Sequence, residues 1–394
     1  MISVADLWIQ LNALVPVPLP SERIPLASAQ GRILREPILA PEDQPPFDRS
    51  AIDGYLVHVD QPAGLVLVEG AIPPGAPAPC FAPMTGTAYR ILTGSALPPD
   101  NAALVMQEDT KDTGTERIHL LQNPSTRHIR RRGSQARAGD TLLSPGQPLN
   151  AGALALLASI GATSPLVSRR PRVAHLVTGA ELVAPDTAPV RGEIRDSNST
   201  LVAALLADAG AELIWQQRVS DSRTATAEAL ASALATDAEV ILVSGGASVG
   251  DHDHTGALLA AQGFTIHCDK VASRPGKPFI ASSRDGRLAF GLPGNPLSHF
   301  VCFHLFVKRV LARLAGTAPV PLVRATLAPR SELRPDPRET WWPCVWTDEG
   351  SSRRALTLPW RDSSDLTVLA STQGLLRVPS ATTPGAEIEV LPCL

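Results

Sequence analysis

Residues 242–259 read LVSGGASVGDHDHTGALL. An apolar run ends at Val243, and the ten residues 244–253 then hold three glycines and two aspartates before an alanine- and leucine-rich segment begins. This is the pattern of a buried strand turning through glycine into a helix. Glycines at such a turn let the backbone approach an anion, whose charge suits the N–H groups at a helix start. Ser244, Gly245, Gly246, Ser248 and Gly250 are the candidate contacts. Asp251 and Asp253 would repel a bare phosphate, so a divalent cation between carboxylate and phosphate reconciles the two. A plainer reading competes on equal terms: Gly245 and Gly246 make only a tight turn, and Asp251 or Asp253 caps the helix.

Outward from this turn, strands and helices alternate. RVAHLV (172–177), ELIWQQRV (212–219), EVILV (239–243) and RLAFGL (287–292) read as strands. STLVAALLADAGA (199–211), TATAEALASALATDA (224–238), DHTGALLAAQG (253–263) and PLSHFVCFHLFVKRVLARLAG (296–316) read as helices. Between Arg169 and Gly316 this predicts a parallel sheet covered on both faces. Ligands of such sheets bind beyond the carboxyl ends of the strands. TGAEL (178–182), SGGASVGDHD (244–253) and GLPGNP (291–296) all fall there. SRPGKP (273–278) adds Arg274 and Lys277, as an anion clamp or as solvated surface cations. Asn295 as N-cap and Pro296 at the first helical position explain the last helix start, but not the two glycines of GLPG before it.

Elsewhere the rhythm differs. Residues 1–30 hold a short helical pattern, residues 50–122 read as strands between Gly and Pro clusters, and NAGALALLASIG (150–161) is a helix. After Gly316, short strands with turns suit a small β-barrel. PPFDRSAIDGY (45–55) places Asp48 and Asp53 in a Pro- and Gly-bounded loop, and RILTGSALP ends a strand at Thr93–Gly94. IRRRG (129–133) is a solvated face or an anion contact.

Length and composition bound the class. A chain of 394 residues has room for two to four domains. With 44% apolar and 19% charged residues it is not a disordered chain. A net charge of -3 argues against nucleic acid. The five cysteines lie far apart without a C-x-x-C pair, so neither a zinc motif nor a disulfide framework is expected, which fits a reducing cytoplasm. The N-terminus lacks the basic flank of a signal peptide, and no apolar run is long enough to span a membrane.

Eight segments, in order, resemble the molybdopterin molybdenumtransferase family, to which the C-terminal domain of gephyrin belongs. They are PPFDRSAIDGY, RILTGSALPPDNAALVMQED, IRRRGSQARAGDTLL, RRPRVAHLVTGAEL, IRDSNSTLVAALLADAGAE, VILVSGGASVGDHD, RPGKP and FGLPGNPLS. The resemblance implies a multidomain α/β and β architecture. Residues 1–49 and 123–168 would form an elongated dimerisation part, 50–122 a β-rich inserted domain, 169–318 a three-layer α/β pterin-binding domain, and 319–394 a C-terminal β-barrel. It also implies a cytoplasmic homodimer that inserts molybdate into adenylylated molybdopterin with magnesium, releasing AMP and forming the molybdenum cofactor. The adenylyltransferase that makes the substrate and the apo-molybdoenzymes that take the product are implied partners. By motif, Asp53 and Thr93 would come from the insertion, and Glu181, Asp221 and Asp253 would serve metal and adenylate. Lys277, Pro293, Gly294 and Pro296 would shape the pterin and molybdate pocket.

Three positions depart from the family pattern. Arg49 stands where Asn is usual, Gln135 where an acid is usual, and Ala180 where Asp is usual. If all three line the cleft, it is less negative by about three charges, which weakens cation binding and strengthens oxyanion binding. A scaffold that keeps the fold without turnover is the alternative these departures leave open.

Overall fold

The alternation becomes a six-stranded sheet in the computed structural model, which describes residues 1–246, 254–334, 336–349, 352–378 and 385–393. In spatial order its strands are Glu212–Val219, Arg172–Thr178, Val240–Ser244, Arg287–Leu292, Pro278–Arg284 and Thr265–Lys270. The first four are parallel, as expected. The last two pairings are antiparallel, so Pro278–Arg284 runs against the other five strands, which corrects the expectation of a wholly parallel sheet at one edge. The cause is local. Asp285 (φ 50) and Gly286 (φ 80) both adopt the left-handed conformation and close a two-residue hairpin between Arg284 and Arg287.

Val240–Ser244 lies inside the sheet and is buried throughout, which is why Val240 to Val243 are an unbroken apolar run. Its side chains alternate between two cores. Val240 and Leu242 face the layer of Asn198–Asp208 and the long helix that ends the α/β region, which contribute Val202, Leu206, Phe303 and Leu311. Ile241 and Val243 face the opposite layer, where Arg223–Ala235 and Thr255–Ala261 contribute Leu230, Ala233 and Leu259. The long helix runs Pro296–Cys302, passes through a π-helical segment at Phe303–Val307, and continues as Lys308–Leu314.

Beyond it, Glu339–Glu349, Ser352–Thr357, Val323–Leu327, Glu387–Pro392 and Gly374–Val378 pair in that order. Gly374–Val378 also pairs with Glu339–Glu349, which closes the expected barrel. Ser273–Arg274 pairs with the start of Glu339–Glu349, so the 273–278 loop is stitched to the barrel. The buried residues of the barrel, Trp341 and Leu376 among them, are continuous with one core of the α/β sheet.

The chain forms two compact units. One comprises Met1–Arg35, Gly146–Leu154 and Ser164–Leu394; the other comprises Glu36–Pro145 and Ala155–Thr163. The second carries its own six-stranded sheet, ordered Ala102–Met106, Gly54–His58, Thr87–Ile91, Gly64–Ile72, Arg117–Leu120 and Thr110–Asp112. No helix among the described residues is long and apolar enough to cross a membrane.

Candidate functional site

Three strand ends meet at the glycine turn of the α/β sheet. Gly245 has φ +90, and Gly246 has φ +63. The Gly245 N–H donates to the Leu292 carbonyl at 3.1 Å, tying the ends of two neighbouring strands. A Cβ on Gly245 would stand 2.5 Å from the carbonyl oxygen of Thr178 at the end of the third strand. Glycine is therefore required both by conformation and by close approach. The turn brings bare backbone to the carboxyl edge of the sheet, where ligands of this architecture bind.

A cleft of about 740 Å³ opens over this turn. Of the residues expected at the site, Glu181, Asp221, Gly245, Gly246, Lys277, Pro293 and Gly294 line it. Among the described residues, the carboxylates of Glu181 and Asp221 and the ammonium of Lys277 make no hydrogen bond or ion pair. Ser244 is buried at the end of its strand, and among the described residues its hydroxyl pairs with His175. Pro296 opens the helix behind the Pro293–Gly294 turn and does not line the cleft. Ser248, Gly250, Asp251 and Asp253 lie outside the described residues.

The barrel supplies a wall that the sequence did not reveal. Arg338, Trp360, Arg361, Asp362 and Ser363 line the same cleft. Asn295 stands at the N-cap position, but its side chain does not cap. It donates instead to the Ser363 hydroxyl at 2.7 Å, and the Leu297 N–H donates to the Ser363 carbonyl at 3.1 Å. Asp336 accepts from Arg338 Nε and from Arg274 Nη1, both at 3.0 Å. The hydrogen bonds and charges of Arg338, followed by the charge of Arg274, hold its carboxyl below the usual aspartate range against some burial. Arg274 also lies over the Trp360 ring, 5.5 Å from its centroid. No run of charge or periodicity marked these residues, because they reach the cleft only through the closure of the barrel.

Four cations (Arg274, Lys277, Arg338 and Arg361) thus face three carboxylates (Glu181, Asp221 and Asp362) around one apolar-edged cleft. That balance suits a polyanion accompanied by a cation. Glu181 and Asp221 are hard oxygen donors, and magnesium is commonly held by one or two carboxylates together with substrate phosphates. The donor set therefore fits magnesium, although no group of three metal-ligating side chains occurs among the described residues.

In the second unit, Asp53 accepts from Thr93 N at 2.7 Å and from Thr93 Oγ1 at 2.9 Å, so these two expected residues are directly paired. The Thr93 hydrogen bonds lower the Asp53 pKa below its ordinary value. The arginine run is largely internal to the loop. Arg131 binds Asp48 at 2.6 Å, and Arg132 binds Asp43 at 2.8 Å.

Comparison with known proteins identifies the family and the fold. Residues 2–161 match the family described as "MoeA N-terminal region (domain I and II)", and residues 174–313 match "Probable molybdopterin binding domain". A Nostoc protein named molybdopterin molybdenumtransferase is 38% identical over 310 residues, covering 76% of this chain and 70% of its own. The Haemophilus influenzae protein of the same name is 35% identical over 306 residues, covering 77% and 75%. A crystal structure of a molybdopterin biosynthesis MoeA protein from Pyrococcus horikoshii superposes with a TM-score of 0.77 at 25% identity. That match covers 100% of this chain and 99% of the other.

Proposed function

The chain belongs to the molybdopterin molybdenumtransferase family, and from that membership we propose that its cleft inserts molybdate into adenylylated molybdopterin, releasing AMP. The observation that carries the reading is the gathering of Glu181, Asp221 and Lys277 around the Gly245–Gly246 turn. The bare N–H groups and Lys277 would receive the pyrophosphate, and the Pro293–Gly294 turn would bound the pterin side. Trp360 and Arg361 would form the facing wall. Glu181 and Asp221, with Asp253, would hold magnesium, which when bound would offset the charge of the pyrophosphate as its bond to AMP breaks. The chain's own residues would orient that bond for in-line displacement and exclude competing water.

The reading further includes a homodimer, to which Asp53 and Thr93 contribute from the inserted domain, and the four-part division given above. Magnesium, the supplying adenylyltransferase and the receiving apo-molybdoenzymes complete it. Incubating the protein with adenylylated molybdopterin, magnesium and molybdate tests it. Molybdate-dependent AMP release, with product that activates an apo-molybdoenzyme, is the expected result. No AMP at any magnesium concentration would leave a scaffold.

A further inference from the structure

We propose that His175 is a positioning residue for this cleft, through which the side chain of Gln216 orients the turn that begins at Ser244. The proposal rests on the reading that this turn binds the nucleotide. His175 is fully buried within Arg172–Thr178 and lies directly opposite Gln216 in the parallel ladder. Its Nδ1 is 2.9 Å from the Gln216 side-chain nitrogen, and its Nε2 is 2.6 Å from the Ser244 hydroxyl.

The direction of each bond follows from chemistry. The Gln216 nitrogen also donates to the Ser199 carbonyl at 3.1 Å, and a carbonyl can only accept. The amide is thereby fixed with its NH₂ toward His175, so Nδ1 is an acceptor and carries no proton. The proton of the neutral imidazole sits on Nε2 and is donated to Ser244. Burial first, and the neighbouring His299 second, push the His175 pKa well below its ordinary value, which keeps the ring in this neutral form.

Ser244 is the last residue of its strand, immediately before Gly245 and Gly246. The other glycine turn is held from the same buried layer. Asn198 Nδ2 donates to the Gly294 carbonyl at 2.8 Å, and His299 Nδ1 lies 3.3 Å from the Pro293 carbonyl. Both turns thus hang from polar side chains anchored at the start of Asn198–Asp208. None of His175, Gln216, Asn198 or His299 lines the cleft, so they act on a ligand only through the turns.

The test exploits Gln216, which is exposed and does not line the cleft. Gln216→Glu presents Nδ1 with an acceptor, draws the proton there, and converts Ser244 from acceptor to donor. Nitrogen NMR of the free protein should show the Nε2–H tautomer in wild type and a protonated Nδ1 in Gln216→Glu. Magnesium–AMP binding by calorimetry should weaken about three- to tenfold in Gln216→Glu and His175→Phe, the scale of one hydrogen bond. His175→Gln, whose amide can still donate to Ser244, should recover most of the loss. An Nδ1–H tautomer in wild type, unchanged AMP affinity in folded Gln216→Glu, or no AMP binding by wild type would each overturn the proposal. A protein that binds AMP in this graded way yet releases none from the substrate would uphold the role of His175 and refute the transferase reading instead.

Discussion

The α-carbon of Gly245 sits so close to Thr178 that an added methyl would stand 2.5 Å from its carbonyl oxygen and 2.7 Å from its hydroxyl. Gly245→Ala meets this wall and must also hold φ +90, a conformation that costs a non-glycine residue about 1–3 kcal/mol before any clash. We expect a lower melting temperature together with loss of magnesium–AMP binding. Thr178→Ala in the same chain should not rescue it, because the carbonyl oxygen remains. A Gly245→Ala protein with wild-type melting and binding would show that the turn is not structurally fixed.

Glu181 and Asp221 should behave in the opposite way. Neither carboxylate has a hydrogen-bonding or ionic partner among the described residues, so the fold does not depend on their charge. Glu181→Gln and Asp221→Asn should each leave stability within about 0.5 kcal/mol of wild type. AMP release should fall by tenfold or more, on the scale of one lost charge-assisted contact of roughly 1.5–3 kcal/mol. Paired thermal melts and activity assays decide this. Full activity in both variants would remove these side chains from the site.

What the sequence made legible was whatever is encoded locally. The strand–helix alternation and the glycine turns that carry Glu181 and Pro293 follow from short patterns at the carboxyl ends of strands, and Lys277 from its Pro-bounded loop, whereas Asp221 is pointed to only by the family resemblance. The antiparallel edge is also encoded locally: the Asp285–Gly286 pair is a hairpin signal set within an apparent βα rhythm. Other features are non-local. Trp360 and Ser363 reach the cleft because the barrel closes, and Asn295 gives up its capping role because Ser363 arrives beside it. His175 sits in what reads as an apolar strand, and its partners Gln216 and Ser244 come from two different neighbouring strands.

Asp336 should couple the barrel wall to pH. It bridges Arg274 and Arg338, and its folded pKa is held below the ordinary aspartate value. A depressed carboxylate pKa stabilises the folded state above the unfolded pKa, and that contribution disappears as the pH falls through the folded pKa. The stability difference between wild type and Asp336→Asn should therefore be constant from neutral pH down to the ordinary aspartate range and shrink below it. Urea unfolding across that interval measures it. Since Arg274 and Arg338 both line the cleft, Asp336→Asn should also weaken magnesium–AMP binding at neutral pH. A difference that grows on acidification would contradict this account of the bridge.

Ala180 offers the most direct test of how cation demand is set. It is exposed and lies between Gly179 and Glu181, both of which line the cleft. The resemblance places an aspartate at this position, so the chain has one carboxylate fewer than the motif from which its metal site is inferred. A charge-assisted contact is worth roughly 1.5–3 kcal/mol when desolvated, or about ten- to a hundredfold in affinity. Water replaces a missing ligand in an open cleft, so the realised difference should lie toward the lower end. Ala180→Asp should therefore shift the magnesium dependence of AMP release to lower concentration, by up to about tenfold, with the molybdate dependence unmoved. Its effect should fall away in an Asp221→Asn background if the two carboxylates serve one ion, because groups sharing a ligand are not additive. Separate magnesium and molybdate titrations of the single and double variants distinguish these outcomes. An unmoved magnesium curve in Ala180→Asp would mean that residue 180 does not reach the cation in this chain.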